Sequence, residues 1–344
     1  MKVAKALLLV SVVWGVGSAR AQVGSDAPAS IVVFPKIIVD GTRDTVVQLS
    51  NTSNFTAYAH CWYLDGALPF PLLPPGPDNQ PQWTSTDFAL ALTHQQPTNW
   101  VVSQGRPADA TEAPCSRLSD NDCYGAGIDP GPIPVIAQGF TGELRCIETD
   151  AIGAPLSGNH LTGEATLEDL ASGDVAKYSA IGIAGRDGND GDGVLRLGEE
   201  YAACPDALRL DHAAEGVAVA AAGEGSSVDT ELTIVPCTAN LVTQAPESVL
   251  VQVLVTNEFE QRFSASQLVN CWRNVRLLDI GPVFGFDHLG TPTAQTRLRS
   301  SAASASGILA VAEERWRVGD LAARAAFNVH SEGVRAAGDL ITVP

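Results

Sequence analysis

Basic residues are scarce in this sequence, and lysine is the scarcest of them. The chain has 39 Asp and Glu against 21 Lys and Arg, and only four of those 21 are Lys. Without a basic patch, a protein cannot release counterions from phosphate groups. We therefore expect neither nucleic acid nor an anionic membrane surface as a partner.

Recognisable catalytic motifs are absent as well. No C-x-x-C, H-x-H or H-E-x-x-H spacing occurs among the seven Cys and six His, and there is no G-x-S-x-G elbow. We therefore expect a protein that is not an enzyme. The alternative is an extracellular hydrolase acting on polysaccharide, with a carboxylate pair near the domain junction, because the two members of such a pair can be distant in sequence.

The first residues have the three-part pattern of a secretory signal. Lys2 and Lys5 precede an apolar run over 6–16, and Ala19-Arg20-Ala21 forms a cleavage site. Residues 1–21 are the predicted signal peptide, and we expect a secreted protein, periplasmic or extracellular after cleavage. The remaining chain has 18 Lys and Arg against 39 Asp and Glu, a net charge of −21. No apolar run reaches the roughly 20 residues that span a bilayer, so we expect no membrane span.

Short runs of β-branched residues, separated by Gly, Pro, Asn and Asp, predict an all-β protein. Residues 31–39, 45–50 and 56–64 each have the composition of a strand, and Asp40-Gly41 supplies turn chemistry between the first two. Helical periodicity is almost absent. Strands of this length need two packed sheets to bury their alternating faces, which favours β-sandwiches.

An internal sequence repeat predicts that one sandwich unit is present twice. Three landmarks recur in the same order: a strand stopped by Pro, a Gln-centred strand followed by Asn, and a Cys-Trp pair. They are Pro35, Gln48 and Cys61-Trp62 in the first half, and Pro236, Gln252 and Cys271-Trp272 in the second. The alternative is a chance likeness between β-rich segments. We predict two tandem related β-sandwich (Ig-like) domains at 22–185 and 229–344, with an irregular Gly- and Asp-rich connecting segment at 186–228.

The connecting segment contains a candidate calcium site. Calcium binds about six to eight oxygens, from carboxylates and carbonyls. The candidate ligands are Asp187, Asn189, Asp190, Asp192 and Glu199. Alignment with an EF-hand loop places Gly188 at the first ligand position, which is a defect, and the alternative is a solvated turn cluster. A bound calcium would make the protein a calcium-stabilised surface-layer or matrix component.

The cysteines predict disulfides, because an exported chain folds in an oxidising compartment. Guided by the repeat, we predict three bonds, leaving Cys204 unpaired. The predicted pairs are Cys61–Cys146, Cys115–Cys123 and Cys237–Cys271. Six cysteines permit about 15 connectivities, so other pairings stay open.

Aromatic residues supply the last candidate site. Trp83 and Trp100 flank the variable loop region, and we predict that they stack on a ligand. The alternative for a tryptophan in a sandwich is packing in the core, which we expect for Trp62 and Trp272.

Two segments carry a resemblance. Phe88–Trp100, F-A-L-A-L-T-H-Q-Q-P-T-N-W, and Asn257–Ser264, N-E-F-E-Q-R-F-S, resemble a group of uncharacterised secreted proteins of environmental bacteria. That resemblance implies export and no activity. We expect a secreted or envelope-associated, non-enzymatic structural, adhesive or binding protein, with a cell-surface or polysaccharide partner.

Overall fold

The computed structural model describes residues 23–70, 73, 76, 78–108, 128–186, 189–216, 226–301, 306–319, 321–335 and 338–344. Three groups of sequence predictions lie outside the described residues. These are the signal peptide at 1–21, the Cys115–Cys123 disulfide and the calcium ligand Asp187.

The described residues form an all-β protein, as the sequence predicts. The strands of the first half are β1 (Val23–Gly24), β2 (Ile31–Val39), β3 (Arg43–Asn51), β4 (Ala57–Asp65), β5 (Ser85–Leu92), β6 (Pro97–Val101), β7 (Phe140–Thr149), β8 (Leu161–Asp169), β9 (Val175–Ser179) and β10 (Ile181–Ile183). Those that follow are β11 (Val194–Leu197), β12 (Ala207–Ala213), β13 (Ser226–Pro236), β14 (Ala239–Asn240), β15 (Ser248–Asn257), β16 (Arg262–Asn270), β17 (Arg273–Arg276), β18 (Thr293–Ser300), β19 (Ile308–Val318), β20 (Leu321–Asn328), β21 (His330–Glu332) and β22 (Asp339–Thr342).

In the described ranges, helical structure is confined to short turns between β17 and β18. These are α1 (Leu277–Ile280), a 3-10 turn (Pro282–Phe284) and α2 (Phe286–Leu289). Among the described residues, no helix is long and apolar enough to cross a membrane.

The strands form five sheets. Sheet I has the order β1-β10-β2-β7-β4-β5, sheet II β6-β3-β8-β9, sheet III β11-β22-β14, sheet IV β16-β15-β18-β12-β21 and sheet V β17-β13-β19-β20. The pairings are antiparallel except for the short parallel contact of β14 with β22. β12 comes from the predicted connecting segment, yet it lies inside sheet IV between β18 and β21.

Three hydrophobic cores lie between these sheets. Sheets I and II bury a first core around Phe34 and Val47, and sheets IV and V bury a second around Leu232 and Val251. A central core takes side chains from sheets I, III and V. Because the central core gathers residues from both halves of the chain, the sheets do not divide clearly into two Ig-like domains.

Part of the predicted internal repeat is visible in the pairing of the strands. β2 pairs with β7, and β13 pairs with β19, both antiparallel. Gln48 lies at the middle of β3 and Gln252 at the middle of β15, and both residues are exposed. Each of these two strands pairs with a neighbouring strand on both sides. Asn51 and Asn257 are both buried, and each Oδ1 accepts the backbone N–H two residues ahead, at 2.8 and 3.0 Å. These elements occupy corresponding positions.

The other landmarks are not equivalent. Cys61-Trp62 lies in β4, which pairs with β7, whereas Cys271-Trp272 precedes β17, which pairs with β13. β2 continues through Pro35, whereas Pro236 ends β13. This part of the predicted repeat is wrong, because the order of Cys-Trp and Pro along the chain does not determine which strands they lie beside.

Two disulfides lie among the described residues. Cys61–Cys146 joins directly paired residues of β4 and β7, as the sequence predicts. The predicted Cys237–Cys271 bond is wrong, since Cys237 is bonded to Cys204 with their Cα atoms 6.6 Å apart. Cys271 is a buried free thiol in the central core, and burial raises its pKa to about 12. The wrong pairing followed from treating the two Cys-Trp pairs as equivalent.

Pro35 lies in a bulge rather than at the end of a strand. The register of β2 against β7 shifts between Phe34 and Ile37, so Pro35 and Lys36 face a single residue of β7. A bulge accommodates proline because Pro has no N–H to give to the ladder. Tyr178 supports the bulge: its hydroxyl donates to the Lys36 carbonyl at 2.7 Å and accepts the Lys36 N–H at 3.1 Å.

The bulge directs Lys36 into the second half of the chain. Its fully buried side chain lies with Nζ 2.8 Å from Glu231 Oε2 and 2.6 Å from Glu313 Oε2. Glu231 also pairs with Arg315 at 3.0 Å, and Glu313 pairs with Arg324. The surrounding network balances four cations and four carboxylates. They are Lys36, Arg43, Arg315 and Arg324 with Asp40, Asp169, Glu231 and Glu313.

Further polar contacts join the halves. The buried Arg145 pairs with Glu143 at 2.8 Å and donates to the carbonyls of Pro236 and Cys237. The Trp272 indole N–H donates to the Pro35 carbonyl at 2.8 Å. Because these carbonyls and charges pair across the contact, sheets I and V are fixed relative to each other.

Replacing Lys36 with Met should strongly destabilise the protein, because Glu231 and Glu313 would then face each other without a cation. Breaking a buried ion pair costs about 3–5 kcal/mol. We expect urea denaturation to show that loss in the free energy of unfolding. Lys177 is the matched control: its ion pair with Glu164 is exposed, and K177M should cost less than about 1 kcal/mol. Equal losses in the two variants would contradict the role of Lys36.

Glu215 should make stability depend on pH near neutrality. The residue is 3% exposed, and burial raises its pKa to about 7 although the Thr230 N–H donates to Oε1. Because the folded state holds this proton more tightly than the unfolded chain does, protonation of Glu215 stabilises the fold. This contribution to the free energy of unfolding is complete below about pH 4.5 and is lost as the pH rises through 7. E215Q should remove that loss, on the order of 2–3 kcal/mol, from denaturation curves recorded at pH 5 and 8.

E199Q is the control for this measurement, since Glu199 is exposed. It should keep the pH dependence of the unaltered protein. An E215Q variant with that same dependence would show that Glu215 is not the titrating group.

Candidate functional site

The two tryptophans predicted to stack on a ligand are buried. Trp83 and Trp100 are each 3% exposed. The Trp100 indole N–H donates to the Tyr63 hydroxyl at 2.5 Å, and its ring meets Phe88 edge to face. Trp83 packs in the central core. The predicted stacking face is therefore wrong: both rings fill space between sheets, where burial of their apolar area stabilises the fold.

Trp316 is the tryptophan that remains accessible in the part of the chain that the structure describes. Trp62 and Trp272 are buried, whereas Trp316 is half-buried. It lies in β19 opposite Val228 of β13 and Ala323 of β20. Paired residues share one face of a sheet, and neither neighbour is large enough to cover an indole. The ring is therefore partly open to solvent.

Trp316 stands between two depressions in the surface. A groove of about 410 Å³ separates loops of the first half from the β19–β20 hairpin. An open depression of about 760 Å³ lies beside sheet IV. The groove is lined by Arg43, Asp169, Ser172, Asp174, Arg317 and Arg324, and the depression by Asp211, His212, Asn257, Glu258, Arg262 and Glu314.

The groove is rich in hydrogen-bond donors. Arg315 Nη2 lies 3.0 Å from Glu231, and Arg324 Nη1 lies 3.5 Å from Asp169. Arg317 is exposed and has no ion pair with the described residues. A guanidinium carries five N–H donors, so even a paired arginine can donate to a second acceptor. The groove can therefore bind hydroxyl or carboxylate oxygens.

The depression contains one carboxyl with a perturbed pKa. Burial raises the pKa of Glu314, while the hydrogen bond that its Oε2 accepts from the Trp316 indole at 3.1 Å opposes that rise. Burial lowers the pKa of His212, which favours its neutral form. Its Nδ1–H donates to the Ala213 carbonyl at 2.9 Å, so Nε2 accepts the Thr296 hydroxyl at 2.8 Å. His212 thus supports the floor of the depression.

The junction between the halves holds a pair of carboxylates, Glu231 and Glu313. Burial raises their pKa values, but the charge of Lys36 lowers both well below the usual range. A general acid needs a raised pKa, and the Glu313 side chain has no exposed area. This pair is suited to an internal ion network and poorly suited to hydrolysing a glycosidic bond.

Two of the predicted calcium ligands, Asp190 and Asp192, pair with an arginine. Arg196 Nη2 lies 2.6 Å from Asp192 Oδ2, and Nη1 lies 3.5 Å from Asp190 Oδ2. Asn189 donates its amide to other protein groups, and Glu199 is exposed. Within the described ranges, no group of three or more His, Cys, Asp or Glu could hold a metal ion. Calcium at this loop stays a prediction.

Comparison with known proteins adds little to this geometry. Neither a family model nor a curated protein matches the sequence. Among solved structures, the chain is similar to the cryo-EM structure of Broad Bean Stain Virus, with 8% identity over 95% of this chain and 97% of that chain, and a TM-score of 0.18. A likeness at that level supports no conclusion. The resemblance to secreted proteins of environmental bacteria stays a prediction.

Calcium should leave the melting temperature unchanged, because the Arg196 guanidinium already pairs with Asp190 and Asp192. Differential scanning fluorimetry with calcium chloride and with chelator measures this. In R196A the two carboxylates lose their cation, so calcium should raise the melting temperature of the variant. A rise in the unaltered protein would instead support the predicted calcium site.

Proposed function

We propose that the protein is a secreted, non-enzymatic binding protein, and that a polysaccharide binds it by stacking on Trp316. One observation carries the proposal: a half-buried indole faces an open polar depression, while the other described tryptophans are buried. Binding sites combine an apolar or aromatic surface with a few polar groups that fix orientation. The apolar face of a sugar ring packs on an indole, and its hydroxyls need donors and acceptors nearby.

The depression offers both kinds of polar group to such a ligand. Arg262 supplies donors, and Asn257 and Glu258 line the same depression. Its lining also includes Ala213 and Ala294, whose side chains are small. A chain of sugars can therefore lie in the depression without displacing a large side chain.

The disulfides support the secreted location. Cys61–Cys146 and Cys204–Cys237 are both buried in cores, and bonds of this kind form and persist in oxidising compartments. The corresponding pairs β2–β7 and β13–β19 support a further proposal, that the two halves are related sandwiches. In that view the β19–β20 hairpin carries the binding site of the second half.

The hydrolase alternative is favoured by one observation. Glu314 has a raised pKa, as a general acid requires, and Asp211 and Glu258 line the same depression. A carboxylate pair there would act beside Trp316, and the pair Glu231 and Glu313 would take no part.

Replacing Trp316 with Ala should abolish most of the affinity for polysaccharide. Burying an aromatic side chain contributes about 1.5–3 kcal/mol, so the dissociation constant should rise at least about tenfold. Affinity electrophoresis in gels containing neutral dextran or acidic alginate measures the effect. F259A is the matched control, since Phe259 is an aromatic residue 72% exposed on the β15–β16 turn.

Two outcomes would contradict this proposal: no retardation of the unaltered protein by a broad panel of polysaccharides, or equal retardation of W316A. The same samples distinguish the alternative. Release of reducing ends by the unaltered protein, abolished in E314Q, would identify a hydrolase.

A further inference from the structure

We propose that a second copy of this chain pairs with β16 along its free edge, so that the two copies share one continuous sheet about a two-fold axis. β16 has nine residues and pairs with β15 through one edge. Among the described residues, no strand pairs with its other edge. A row of unpaired backbone N–H and C=O groups is a template for another strand.

Other edges among the described strands are covered or short. On β5, the Ala91 N–H donates to the Pro130 carbonyl at 2.9 Å. β6 begins at Pro97 and has five residues, and β9 packs against β20. β17 and β21 have four and three residues. β16 contains no Pro, and its one charged residue, Arg262, stands at its first position. This edge therefore lacks proline and internal charge, two of the devices that prevent pairing; α1 and the following 3-10 turn contact the strand.

The strand is compatible with its own copy in the antiparallel direction. Pairing over the full length of Arg262–Asn270 places Ser266 on the two-fold axis, opposite the partner's Ser266. Arg262 then faces the partner's Asn270, so no like charges meet. Parallel pairing would place Arg262 against the partner's Arg262. The antiparallel contact is the isologous one that a two-fold dimer requires.

Exposed leucines next to this edge gain neighbours in the dimer. Leu250, Leu254 and Leu268 are 43, 40 and 51% exposed. Leu268 lies opposite Leu250, and Ser264 lies opposite Leu254. The two-fold pairing sets Ser264 beside the partner's Leu268, so an apolar row continues from one copy into the other. The pairing thus covers apolar area that a single chain leaves in water.

Charge exchange at Ser266 tests the proposal on the full secreted chain. Sedimentation velocity should show a species of twice the chain mass that dissociates on dilution. S266K and S266D each place like charges opposite one another, and each should raise the dimer dissociation constant at least about fivefold. An equimolar mixture of the two variants should restore the dimer. Q252K is the matched control, because Gln252 lies opposite Ser266 but one strand further inside.

Three results would overturn the proposal. These are a monomer at every concentration, S266K and S266D as dimeric as the unaltered chain, or a loss in Q252K equal to that in S266K, which would place the contact on the face of the sheet. Circular dichroism and thermal melting establish that every variant is folded. Dimers restored only in the mixture would support the two-fold pairing at Ser266.

Discussion

The architecture depends on one buried cation. Lys36 carries its charge into a site without solvent, where Glu231 and Glu313 approach it from two adjacent strands of sheet V. An uncompensated charge in such a site is costly, and a compensated one is stable only while both partners stay in place. The halves therefore cannot rotate or slide against each other without exposing unpaired charges. An apolar contact of the same area would tolerate small shifts.

Local patterns of the sequence predicted the parts of the fold that local physics determines. The strands β2, β3 and β4 follow from β-branched residues bounded by turn chemistry. The Gln-centred strand followed by Asn predicts corresponding positions for Asn51 and Asn257. The Cys61–Cys146 bond was predicted because both residues lie in strands of one unit, and they are directly paired. In each case the deciding interactions lie within a strand and its nearest neighbour.

The residues that alternation alone could not place are those at the contact between the halves. Period-two alternation separates the two faces of a strand, but it does not tell whether the outer face meets water or another sheet. The sequence predicts that a strand ends at Pro35, whereas the bulge that lets β2 continue past it depends on β7 and Tyr178. Trp83 and Trp100 were expected at the surface because loops flank them, yet their rings turn inward. The disulfide partner of Cys237 likewise depends on packing in the central core, where Cys204 and Cys271 both lie.

The strand β19 links the candidate site to the junction between the two halves of the chain. Along β19, Glu313 and Arg315 point to the ion network, whereas Glu314 and Trp316 point to the opposite face. The E-E-R-W-R run of charged residues around a tryptophan is the sequence signal that could have marked this strand as leaving the core. Because the network fixes the backbone of β19 from one face, the indole on the other face is held in a fixed position beside the depression. A rigid aromatic surface loses little conformational entropy on binding, which favours recognition of a weakly interacting ligand such as a sugar chain.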